Sequence, residues 1–504
     1  MKIKTKAFKP IVVFLYISLL IVPSFADRVK QLDELSALWT FYKFNFIENG
    51  RVISHDEKGV TTSEGQSYAM LRAVWASDQA MFDTVWNWTK KSLKRKNDKL
   101  FAWKYNNGKV LDYNAATDAD VDIALSLLLA SRQFKAEQYA DEARRILRDI
   151  WKYEVVKVDE KYYLTGGNWA SSERYPIIHV AYLAPYAYET FAAVDPDHPW
   201  QQLVETSYEI LHWIYDDQEL QLPPEIIYID KKSGTLLLQR PGSKDEPRFS
   251  YDAFPIFWRV AVDYRWYGRS EEKLRKEMLR FFQTEWKESK AFYDTYQLDG
   301  TATSEFEGLP LYATVQALAT FVNEPLSKAI RSEKLDPLWK KTLKGAPTPY
   351  YFHNWLWFGR AFELKNVRNF NEFMDFLSPI EFRDMSKRFP WVSCIAAILF
   401  YFISRIKNAP FKKLAKAGFL VSGTIICVRY LIFRLFTLNF LEPAGPFISI
   451  TLLLAELYCF STLIFLFVQT GFNPEYRRKK PHAPDYQPSV DIFIPIYSEA
   501  PEIL

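Results

Sequence analysis

Ala116-Thr-Asp-Ala-Asp-Val-Asp-Ile-Ala-Leu-Ser-Leu-Leu-Leu-Ala-Ser-Arg-Gln-Phe134 sets three aspartates, Asp118, Asp120 and Asp122, on alternate residues at the head of a strongly apolar helix. A helix N-terminus is the positive end of the macrodipole and welcomes one carboxylate. Three within five residues repel one another. One reading is a solvated helix start capped by Asp118 or Thr117; the other is that the acids serve chemistry. Two more segments share the design and favour the second reading. Thr61-Thr-Ser-Glu-Gly-Gln-Ser-Tyr-Ala-Met70 sets Glu64 at the head of an apolar helix, and Phe249-Ser-Tyr-Asp-Ala253 does the same with Asp252.

Outward from these segments, apolar residues recur with helical spacing near 30–45, 65–77, 80–93, 117–133, 137–152, 176–193, 199–214, 251–266, 270–286, 306–321, 325–341 and 349–363. Twelve helices in one unit, joined by loops such as Thr165-Gly-Gly-Asn168 and Gln221-Leu-Pro-Pro224, predict an all-α domain of six helical hairpins closed into an (α/α)6 barrel. The loop at 222–247, with Ile226-Ile-Tyr-Ile229 and Thr235-Leu-Leu-Leu-Gln239, has the pattern of a small β-hairpin.

The aromatic content of 17%, with 16 Trp and 30 Tyr, suits both core packing and stacking on sugar faces. A net charge of +4, without a basic run interleaved with aromatics, gives no reason to expect a nucleic-acid partner. Cys394, Cys427 and Cys459 all lie in the apolar C-terminal region, so the helical domain needs no disulfides. No Cys/His cluster has metal-ligand spacing, and no metal or other cofactor is expected.

The N-terminus reads as an export signal over 1–26: Lys2, Lys4, Lys6 and Lys9, an apolar run from Ile11 to Val22, then small residues in Ser24-Phe-Ala26. A retained anchor is the alternative, but the run is short for a span. A hydrolytic domain over 27–366 and a linker over 367–389 follow. Apolar runs at Trp391–Ser404, Ala417–Phe436 and Phe447–Val468 then predict three transmembrane helices within 390–470. Arg405, Lys407, Lys412, Lys413 and Lys416 follow the first run, and Arg477 to Lys480 follow the third. The loop Thr437 to Pro446 has no Lys or Arg. The positive-inside rule therefore puts the basic segments and the C-terminal end in the cytoplasm, and the helical domain outside.

The block from Ala116 to Phe134 resembles the signature of the family-8 glycoside hydrolases. Ser63-Glu-Gly65 and Ser250-Tyr-Asp-Ala253 lie in the right order on either side of it. The resemblance covers roughly residues 30 to 365, with endoglucanases of bacterial cellulose-producing systems nearest in pattern. It implies the same (α/α)6 fold and the hydrolysis of β-1,4-glucan with inversion. Inversion needs a protonated carboxyl that gives its proton to the leaving oxygen and an ionised one that activates water on the opposite face of the sugar. The two stand roughly 6.5–9.5 Å apart. The resemblance makes Glu64 the acid and Asp252 the base. It gives Asp118 a place holding the sugar at the cleavage point, or a role as nucleophile. It brings Trp103, Tyr182 and Tyr251 to the substrate, with Trp169 a weaker candidate. Arg259 is either a partner for a carboxylate or a surface ion pair. Glu305 and Glu307 are a fallback for the base.

The segment 429–496 resembles the start of a bacterial cellulose synthase catalytic subunit, in Arg429-Tyr-Leu-Ile-Phe-Arg434, Leu453-Leu-Ala-Glu-Leu-Tyr458 and Pro488-Ser-Val-Asp-Ile-Phe-Ile-Pro495. That resemblance implies the opening strand of a family-2 glycosyltransferase within 471–504, a hydrolase–synthase fusion cut short, and partners comprising β-1,4-glucan, the membrane and other cellulose synthase subunits. Two positions depart from the family-8 pattern. His179-Val-Ala-Tyr182 stands for Asn-Pro-Ser-Tyr, and Pro255 stands where many members carry an arginine. These departures leave chitosan, xylan or mixed-linkage glucan as alternative substrates, and an inactive glucan-binding part of a synthase complex as an alternative role.

Overall fold

The computed structural model describes residues 34–171, 174–345 and 349–370, with Ala455, Glu456, Tyr458 and Thr462 further on. The chain divides into two units, Met1–Glu381 and Phe382–Leu504. The four described residues of the second unit are helical. The expected export signal, the three spans and the synthase-like strand lie outside the described residues. Among the described residues no helix is long and apolar enough to cross a membrane.

The first unit is built of helices in two kinds. Six are buried on every side: α2 (Ser63–Trp75), α4 (Thr117–Phe134), α6 (Pro185–Ala192), α8 (Pro255–Tyr267), α10 (Leu309–Val322) and α13 (Tyr350–Glu363). In α2 every residue but Glu64 is buried, and in α4 every residue from Thr117 to Ala130. The others bury one stripe. Helix α5 (Glu137–Tyr153) hides Tyr139, Ala140, Ala143, Ile146, Leu147 and Ile150 and turns its charges to water. Helices α3 (Gln79–Ser92), α7 (Trp200–His212) and α9 (Glu272–Glu288) repeat that pattern.

The buried helices contact one another in the order α2, α4, α6, α8, α10, α13. The ring closes where Tyr68 of α2 meets Trp355 and Phe358 of α13 edge-on. An outer helix links each inner helix to the next. Helix α1, over residues 34–46, covers α13: Trp357 Nε1 donates to the Leu35 carbonyl, and Arg360 pairs with Glu34. Arg72 pins the closure. Its guanidinium lies 3.8 Å from the Tyr42 ring centre and donates to Asn354 Oδ1. The arrangement is consistent with an (α/α)6 barrel.

Three expected helices come out differently. The run 176–193 splits into strand β8 (Ile177–His179), a 3-10 turn (Val180–Tyr182) and α6. Ile177 and Ile178 are β-branched and pair with Tyr228 and Ile227 of β9 (Ile226–Ile229). Pro185 sits at the first turn of α6, where no amide donor is needed. The run 325–341 is α11 (Glu324–Ile330), a π turn (Arg331–Leu335) and α12 (Asp336–Leu343). Helix α8 begins at Pro255, so Asp252 lies in the turn before it rather than at its head. The expected hairpin at 222–247 is present: β9 pairs with β10 (Leu236–Leu237), and β8 adds a third strand.

Candidate active site

The inner helices run the same way because an outer return separates each from the next along the chain, so their N-terminal ends share one rim. Glu64 opens α2, Asp118 opens α4, Tyr182 precedes α6, Asp252 precedes α8, and Tyr351 opens α13.

The residues around Glu64 each have a task. Thr62 caps α2 by accepting from the Gly65 amide at 3.0 Å. Gln66 accepts from the Val52 amide and donates to the Gly50 carbonyl and to Thr89, which ties the hairpin of β1 (Ile47–Glu48) and β2 (Arg51–Val52) to α2. Gly65 is required, since a Cβ there would stand 2.0 Å from the Tyr350 hydroxyl. Tyr68, one helical turn on, donates to Glu64 Oε1 at 2.8 Å.

Burial is the largest cause that pushes the Glu64 carboxyl up, to about 8; the charges of Asp118, Asp252 and Asp122 add to it, and the Tyr68 hydrogen bond opposes them. The influence of Asp118 is therefore present but second to desolvation. Burial likewise lifts Asp118 to about 7, with Arg259 opposing and Asp122 and Asp252 adding. Asp118 Oδ1 is buried without a hydrogen-bond partner. Asp252 is exposed on its turn. The protein around it still pushes its carboxyl up, and Arg248 opposes that. Tyr182 and Tyr351 both feel Glu64, Asp118 and Asp252, so all five groups face one space.

The three aspartates of the signature have three different surroundings. Asp118 enters the shared space. Asp120 accepts from the Phe101 amide at 3.0 Å and lies against Glu154; burial and that neighbour raise it, and Glu154 is held at about 8, chiefly by burial. Asp122 receives both arms of Arg259, at 3.1 and 3.0 Å. Arg259 also donates to the Tyr186 hydroxyl. The pair is fully buried, so the surface ion pair is ruled out. Neither Thr117 nor Asp118 caps α4: the cap position is Ala116, with no side-chain bond.

The other expected residues divide. The Trp103 carbonyl accepts from the Ser63 amide, which sets Trp103 beside the start of α2, with the Lys104 ammonium 4.9 Å from its ring centre. Tyr182 stacks on His179 at 4.7 Å and 17°. Trp169 is 38% exposed, beside Gly166 and Gly167, where a Cβ would strike His179 or the Ala115 carbonyl. Tyr251 packs edge-on to Tyr351, with ring centres 6.1 Å apart, and turns its hydroxyl toward Asp294 at 3.5 Å. Glu307 is held by Lys334 and Tyr312, an arrangement that suits a structural anchor. Tyr68 and Tyr351 go unread in the sequence, whereas Arg259 is read there as a carboxylate partner without showing that the carboxylate is Asp122. Tyr68 had a signal, its four-residue spacing from Glu64; Tyr351 had none, because only closure of the ring brings α13 to the rim.

Residues 16–333, more than half of the chain, match the profile of Glycosyl hydrolases family 8. A probable endoglucanase of Novacetimonas hansenii is 29% identical over 265 residues, which is 51% of this chain and 74% of that protein. An endoglucanase of Escherichia coli K12 is 33% identical over 237 residues, 44% of this chain and 61% of that protein. Among solved structures, the endo-beta-1,4-glucanase CMCax of Acetobacter xylinum superposes with a TM-score of 0.55 at 24% identity, covering 67% of this chain and all of that one (100%).

Proposed function

The chain belongs to glycosyl hydrolase family 8, and we propose that it is an endo-β-1,4-glucanase acting with inversion. Glu64 is the general acid, Asp252 the general base, and Asp118 holds the sugar at the point of cleavage. The observation that carries this reading is the convergence of the three carboxyl groups, with Tyr182 and Tyr351, on one rim. An acid held near 8 keeps its proton at neutral pH and can give it to the leaving oxygen. The exposed Asp252, reached by water, suits activation of the attacking water. Asp118 Oδ1 is a buried acceptor for a sugar hydroxyl. Trp103 and Trp169 supply flat apolar faces for neighbouring sugar rings. The endoglucanases among the relatives support β-glucan as substrate. Proton NMR in the first minutes of digestion tests the mechanism: the new reducing end is expected as the α-anomer. Initial β-anomer would mean retention and would make one of the aspartates a nucleophile.

The enzyme is further proposed to be exported, tethered to the membrane and coupled to cellulose synthesis. The apolar runs between 391 and 468, their flanking charges and the synthase-like segment support this. A reporter active only in the cytoplasm is expected to work when fused after Leu504 and to stay silent after Glu442. A silent Leu504 fusion in a stable, inserted product would overturn the topology.

A further inference from the structure

We infer that Glu225, Arg248 and Ser250 form a clamp that positions Asp252 and supplies it with the positive charge that Pro255 does not. The inference rests on the reading of Asp252 as the base.

The clamp is built from both sides of the base's turn. Glu225 precedes β9, and its amide donates to the Arg248 carbonyl at 3.0 Å. Its carboxylate then takes two side chains: Arg248 Nε at 3.3 Å on Oε2, and the Ser250 hydroxyl on Oε1. Ser250 opens the turn that carries Asp252, and its carbonyl accepts from the Ala253 amide at 2.8 Å. Arg248 and Phe249 are fixed from behind by pairing with Gln297 and Tyr296. One partly buried carboxylate thus holds the residues two and four places before the base.

Position 255 is the first residue of α8, where proline shapes the helix start and offers no charge. The groups that face Asp252 are Glu64 from α2, Asp118 from α4, Tyr182 from the turn before α6 and Tyr351 from α13. Glu64 and Asp118 are acids, the two tyrosines are neutral, and none of the four supplies positive charge. Arg248 opposes the rise that burial imposes on the Asp252 carboxyl. A nearby cation favours the ionised carboxylate, which is the form a base needs. Glu225 neutralises part of that charge while fixing where it stands. Because Arg248 is largely exposed, salt should weaken its effect.

The test uses the full chain in detergent with a soluble cellulose derivative. Rate profiles against pH are taken for Arg248→Met, Arg248→Lys, Glu225→Gln and Asp252→Asn. In Arg248→Met the acid limb of kcat/KM is expected to move to higher pH, so the loss deepens as pH falls. Arg248→Lys should restore the limb, and the alkaline limb set by Glu64 should stay. Glu225→Gln should lower kcat at every pH, because the turn is released. Coincident acid limbs for wild type and Arg248→Met, with Asp252→Asn inactive, would overturn the clamp and leave the base in place. An Asp252→Asn enzyme keeping more than about a tenth of the activity would remove the base reading, and the inference with it.

Discussion

Glu64 and Asp252 are carboxyl groups on the same rim, yet their supports are opposite. Glu64 is rooted in a helix whose other residues are all buried, with an aromatic hydroxyl on one oxygen and acids around it. Asp252 hangs on an exposed turn, held at a distance by Glu225 and tempered by Arg248. The rigid, dry support keeps a proton on; the open one admits water, and its cation opposes the rise that burial imposes. On the proposed reading, the two carboxyl groups acquire complementary roles from dielectric and neighbouring charge.

The largest test of that contrast removes the proton itself. Glu64→Gln is expected to lower kcat by about 10²–10⁴-fold with the helical circular dichroism spectrum unchanged. Retention of a tenth of the activity would break the contrast. Arg259→Met attacks the shared frame behind both groups. It strands Asp122 in the core without its two hydrogen bonds, and denaturant unfolding should show a loss of about 3–5 kcal/mol. A loss confined to activity would mean that Arg259 faces substrate.

The dry support also has a stability cost that can be titrated. Folding raises the Glu64 carboxyl from its ordinary 4.5 to about 8, so the native state holds a proton that the unfolded chain has released. Stability should therefore fall as pH rises from about 4.5 to about 8. Glu64→Gln should raise Tm at pH 8 while leaving it nearly unchanged at pH 4. In wild type, activity should decline as pH passes about 8, where the acid ionises. The smallest effect is expected from Tyr68→Phe. Loss of its hydrogen bond removes support from the ionised form, so the alkaline limb should shift upward while the acid limb, set by Asp252, stays.

The sequence by itself determined the period of the helices, the presence of a small hairpin in 222–247, and the three acids. Each of these is local: apolar spacing shows which residues face a core, and a carboxylate at an apolar helix head stands out against its neighbours. The three aspartates of one signature, however, are equivalent in spacing, and only the family resemblance singles out Asp118. The tertiary structure separates all three, giving Asp118 to the shared rim, Asp120 to Glu154 and the Phe101 amide, and Asp122 to Arg259, 137 residues away. The same holds for Tyr351, which reaches the acids because the last inner helix closes against the first, and for Arg248, which a single carboxylate 23 residues earlier, just before a strand, holds beside the base's turn. Spacing along a chain fixes which face a side chain shares with its near neighbours. It carries no information on which distant charge will stand opposite, and burial and charge at that distance set the pKa on which the chemistry depends.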